Sequence, residues 1–63
     1  MSVSRRDLIR YFEENGFFLR REGGSHSIYS NGQGVSVPIK RHKLFDRITA
    51  NELCKQAGLP KVF

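Results

Sequence analysis

Four glycine-bearing breaks, Asn15-Gly16, Gly23-Gly24, Asn31-Gly32 and Gly58-Leu59-Pro60, divide this 63-residue chain into lengths that few folds can use. Glycine and asparagine favour turns and helix ends because they tolerate backbone conformations that other side chains resist. The outer segments have room for helices. The middle ones, 17–22, 25–30 and 33–39, suit only strands. A chain this short forms one domain, residues 1–63, and buries only about 60% of the surface exposed when unfolded. Function is therefore expected in a surface groove.

Local chemistry fills in the elements. Ser4-Arg5-Arg6-Asp7 has the form of a capping box, and Val3 with Leu8 that of a hydrophobic staple. Leu8, Ile9, Tyr11 and Phe12 continue as an apolar stripe until Asn15-Gly16 stops the helix. Phe17 to Glu22 reads as a strand, turned by Gly23-Gly24 into a second strand over Ser25 to Ser30. Asn31-Gly32 predicts a tight type I′ hairpin into a third strand, Gln33 to Ile39, in which Val35, Val37 and Ile39 alternate. Pro38 cannot donate to a ladder and belongs at an edge or strand end. After a basic connection, Lys40 to Arg47, Thr49 with Glu52 repeats the capping-box pattern and Ile48 with Leu53 the staple. Ala50, Leu53, Cys54 and Ala57 recur at helical spacing before Gly58 and Pro60. The expected architecture is α+β in the order α-β-β-β-α, an antiparallel meander with both helices on one face.

Eleven Lys and Arg against six Asp and Glu leave a net charge of +5. Such a field attracts polyanions, nucleic acid first, but it equally serves solubility or an acidic protein partner. The single cysteine, Cys54, cannot close an internal disulfide and reads as a small buried hydrophobe. No signal peptide and no membrane-length apolar run are visible, so a soluble, cytoplasmic protein without a membrane partner is expected.

His26 is the leading candidate for chemistry, because imidazole exchanges protons near neutral pH. Gly24 and Ser25 beside it are small enough to let a phosphate approach, and the amides of Gly23 and Gly24 are candidate phosphate donors. The competing reading is a strand-end histidine with a purely structural role. On the strand, His26 shares a face with Ile28, expected inward, which sets Tyr29 outward. There Tyr29 either stacks on a base or pairs across the sheet. Lys40, Arg41, His42 and Lys43 form the densest positive run, a candidate phosphate clamp or a solvated loop. Arg5 and Arg6 sit in a first helical turn, where the dipole disfavours cations, so RNA or an acidic partner explains them better than stability does. His26, His42 and Cys54 lack zinc-ligand spacing, and neither metal nor cofactor is expected.

The element order, together with Gly16-Phe17, Gly24-Ser25-His26, Ile28-Tyr29, Val37-Pro38 and Lys55-Gln56-Ala57-Gly58, resembles the HicA family of toxins from toxin-antitoxin pairs over nearly the whole chain. In this chain Ser27 stands where many relatives carry a second histidine, and where many place a histidine close behind the Val-Pro pair, His42 follows Pro38 only after Ile39-Lys40-Arg41. The resemblance implies a fold similar to double-stranded RNA-binding domains. It also implies a ribonuclease that cleaves mRNA and is silenced by a HicB-type antitoxin. On that basis His26 is expected to act as general acid or base in metal-independent cleavage. The alternatives are a non-catalytic RNA-binding module and a protein-interaction domain for an acidic partner.

Overall fold

The computed structural model describes residues 2–63. Its first helix starts where the sequence places it. Ser4 is extended, and its Oγ accepts the Asp7 amide at 3.1 Å, so α1 runs Arg5–Glu14. Val3 and Leu8 are both buried, as a staple requires. Gly16 N–H donates to Glu13 O at 3.1 Å and Phe17 N–H to Phe12 O at 3.0 Å, a Schellman ending. Its accompanying apolar contact joins Phe12 and Phe17, ring centroids 5.1 Å apart.

The second helix, α2, spans Arg47–Gln56 and begins earlier than its Thr49-x-x-Glu52 pattern predicts. Asp46 is the cap, its carboxylate accepting Thr49 N–H at 2.7 Å and the Thr49 hydroxyl at 3.1 Å. Ile48 is 78% exposed and staples nothing, while Phe45, just before the true cap, is buried together with Ala50. Gly58 N–H to Lys55 O at 3.0 Å and Leu59 N–H to Cys54 O at 2.9 Å give α2 the same ending as α1.

The Thr49 bonds hold the Asp46 carboxyl below the usual carboxylate range. The folded state thus binds that proton less readily than the unfolded chain, so the stabilisation is complete above the usual range and is lost as acid titrates the folded carboxyl. Asp46→Asn keeps a cap that cannot ionise. Thermal melts from neutral to acid pH are expected to show a shallower acid loss in the variant, and identical acid limbs would contradict this.

The meander is present with altered turns. Strands β2 (Phe18–Glu22), β3 (His26–Ser30) and β4 (Ser36–Lys40) pair antiparallel in that order, which leaves Pro38 on an edge strand as expected. The two-residue type I′ turn does not form, and β4 starts later than Gln33. Ser30 pairs with Ser36, leaving a five-residue loop, 31–35, in which Asn31 Oδ1 accepts the amides of Gln33 at 2.8 Å and Val35 at 3.2 Å. Gly32 (φ 75°) and Gly34 (φ 92°) carry the left-handed backbone, whereas Asn31 does not. The basic connection also holds a strand, β5 (Leu44–Asp46), which pairs antiparallel with β1 (Ser2–Ser4). This small ladder brings the start of α1 beside the 40–43 segment, and Arg5 N–H donates to Lys43 O at 2.8 Å.

One core joins Leu8 and Phe12 of α1, Ala50, Leu53 and Cys54 of α2, and Tyr29, Val37 and Ile39 of the sheet. Burial pushes the Cys54 thiol up, in keeping with a core role. The parity of β3 is opposite to the expected one: Tyr29, 6% exposed, and Ser27, fully buried, face the helices, and His26 and Ile28 take the other face. No helix among the described residues is long and apolar enough to cross a membrane.

Candidate active site

The reversed parity puts His26 where a ligand can reach it. Its cross-strand partner in β4 is Lys40, and directly opposed residues bring their side chains within contact range. Both line a cleft of about 420 Å³ between the outer end of β4, the β4–β5 turn and α2, together with His42, Phe45, Asp46 and Gln56. The Ser25 hydroxyl lies 3.0 Å from His26 Nδ1. His42 stacks on Phe45, with ring centroids 6.1 Å apart and planes at 26°.

The turn that presents His26 is built tightly. Gly23 N–H donates to His26 O at 2.8 Å, and a Cβ on Gly23 would stand 3.1 Å from that oxygen, a tight approach that favours glycine. This bond removes the Gly23 amide from the phosphate donors expected there, whereas Gly24 and Ser25 remain exposed.

Behind the turn, a polar network ties three segments together. Arg5 Nη2 donates to Ser27 Oγ at 2.8 Å, Ser27 Oγ donates to Glu22 Oε1 at 3.1 Å, and Arg41 bridges Glu22 and the Gly23 carbonyl. Arg5 Nε also donates to Lys40 O at 3.2 Å. Ser27 is buried yet both accepts and donates, the condition under which a hydroxyl is tolerated in a core. Glu22 does not stand out in the sequence, and Ser27 does so only as the position where many relatives carry a histidine. The available signal is a small polar residue two positions before Tyr29, hence on the same face of β3.

Of the cations expected to hold phosphate, Arg5, Arg6, Arg41 and Lys43 converge on a second groove at the start of α1, and Lys40 faces the His26 cleft. Arg5 and Arg41 are committed to the network, which leaves Arg6, Lys40 and Lys43 exposed. Tyr29 is not part of either groove. Buried in the core, with its phenol pushed up in pKa by desolvation, it cannot stack on a base. Among the described residues, no three His, Cys, Asp or Glu side chains form a cluster able to hold a metal ion.

No curated protein and no solved structure matches the chain. A family model does: the one described as "HicA toxin of bacterial toxin-antitoxin" matches residues 5–59. That span runs from the first turn of α1 past the end of α2 and contains the cleft, the network and the cations of the basic groove. The chain therefore belongs to the HicA toxin family.

Proposed function

We propose that this toxin-family chain is an endoribonuclease that cleaves mRNA without a metal, using His26 as general acid or base. The observation that carries the reading is the placement of His26 on the open sheet face, lining a cleft with Lys40 as its cross-strand neighbour. RNA brings its own nucleophile, the 2′-hydroxyl. The protein must supply proton transfer and positive charge around the phosphorane. The Ser25 hydroxyl at Nδ1 fixes the imidazole ring and leaves Nε2 for the substrate. Lys40 stands where it meets charge developing on the phosphate oxygens. Arg6 and Lys43 hold the chain of phosphates away from the scissile bond.

Purified protein incubated with RNA in EDTA is expected to yield fragments ending in 2′,3′-cyclic phosphate and 5′-hydroxyl. Retention of intact RNA would identify a binding module instead, and absence of both binding and cleavage a protein-interaction domain. In the toxin-antitoxin pair, the HicB-type partner silences the enzyme by presenting an acidic surface to this cleft and groove.

Binding is expected to depend on phosphate contacts made by the exposed cations. Arg6→Ala and Lys43→Ala should each reduce the slope of log affinity against log salt by about 0.7 on single-stranded RNA. Filter binding at several salt concentrations measures it. Unchanged slopes in both variants would move the clamp elsewhere.

A further inference from the structure

Transesterification at phosphorus moves two protons. One leaves the 2′-hydroxyl as O2′ bonds to phosphorus, and one must reach O5′ as the P–O5′ bond breaks. In an in-line displacement O2′ and O5′ stand on opposite apical sides of phosphorus, so a second group placed across the cleft from the first is the direct way to serve both transfers in one step. The His26 cleft narrows the choice. Its other charged or titratable groups are Lys40 from β4, His42 from the β4–β5 turn and Asp46 from the end of β5, while α2 contributes only the uncharged Thr49, Leu53 and Gln56. The Asp46 carboxylate is engaged by the Thr49 amide and hydroxyl as the cap of α2. An ammonium such as that of lysine serves charge better than proton transfer near neutral pH. His42 remains, an exposed imidazole whose ring is held against Phe45 at 6.1 Å.

We propose that His42 is the second proton-transfer group of the site, paired with His26 across the cleft between β4, the β4–β5 turn and α2. This rests on the endoribonuclease reading. One imidazole takes the 2′-hydroxyl proton and ends protonated, and the other gives its proton to O5′ and ends neutral. Exchange with water restores both for the next turnover, and no further reactant is required. The turn that delivers His42 is set by the β1–β5 ladder and by the Arg5 bonds to the Lys40 and Lys43 carbonyls, at 3.2 and 2.8 Å. A sequence in which the two histidines stand sixteen positions apart thereby converges on one cleft.

The test compares the native protein with His26→Gln and His42→Gln on two substrates: an RNA oligonucleotide, and a nucleoside 3′-(4-nitrophenyl) phosphate whose phenolate leaves without a proton. On RNA, each variant is expected to lose about 10²–10⁴-fold in single-turnover rate. Each should also lose a different limb of a bell-shaped pH profile, with RNA affinity kept within a few-fold. On the activated ester, one variant should recover and the other stay slow, which identifies acid and base. His42→Gln that retains both limbs and the native rate overturns the proposal, as does a loss confined to affinity with the bound rate unchanged. Failure of the endoribonuclease reading looks different: RNA uncut by the native protein, or cut at full rate by His26→Gln.

Discussion

Truncating His26 to alanine is expected to lower the rate of RNA cleavage by about 10²–10⁴-fold, the usual cost of losing general acid-base help. Toxicity should vanish with it. The fold and RNA affinity should survive, because the side chain lies on the open face of β3, partly exposed, and contributes nothing to the helix-covered core. Truncation at such a position costs within about 1 kcal/mol. Cleavage assays paired with thermal melting and filter binding measure all three quantities. A folded His26→Ala protein that cuts at the native rate contradicts the catalytic role, and one that unfolds reveals a structural one.

Tyr29→Ala is expected to cost about 3–5 kcal/mol, the range for removing a buried aromatic side chain. A chain of 63 residues has only about 3–9 kcal/mol of total stability, so this variant should lose a large share of it and melt well below the native protein. Tyr29→Phe keeps the ring in the core, at 6% exposure in the native protein, and should bind and cleave RNA like the native chain. Denaturant unfolding of the first and RNA affinity of the second are the measurements. A stable Tyr29→Ala with weakened RNA binding would restore the outward, base-stacking role that the burial of this residue excludes.

That reversal of β3 shows where the sequence is legible and where it is not. Ser4 as the cap of α1, the glycine stops, and the alternation of Val37 and Ile39 all rest on neighbours within a few residues, and all are present. In β3 the alternation is ambiguous, since Ile28 and Tyr29 are both large and apolar. The deciding interaction is long-range: Ser27 is buried because Arg5 reaches it from α1 and Glu22 from β2. The start of α2 fails for the opposite reason, an excess of local signals. Asp46 and Thr49 are both competent caps three residues apart, and the buried Phe45 favours the earlier one. Asn31-Gly32 marks the second turn correctly but not its length, which Gly34 and the Asn31 side chain extend. Strands β1 and β5, three residues each, are too short to show any period and exist only as partners of each other.

The site divides in the same way. His26 is conspicuous in sequence because small residues flank it, and the basic run 40–43 because its charge is dense. What the residues alone do not reveal is the division of labour. Arg5 and Arg41 brace the His26 turn through Ser27 and Glu22, and Lys40 and His42 enter the cleft. Register and the β1–β5 ladder decide this, and both are tertiary.

The proposed chemistry runs through the substrate's own 2′-hydroxyl, with protons handled by His26. The decisive experiment maps a cleavage position in an RNA oligonucleotide and replaces the nucleotide on its 5′ side with the 2′-deoxy form. With EDTA present, the native protein is expected to leave that single linkage intact while cutting the all-ribose control to a 2′,3′-cyclic phosphate and a 5′-hydroxyl. Cleavage of the deoxy-substituted linkage at the control rate would contradict it.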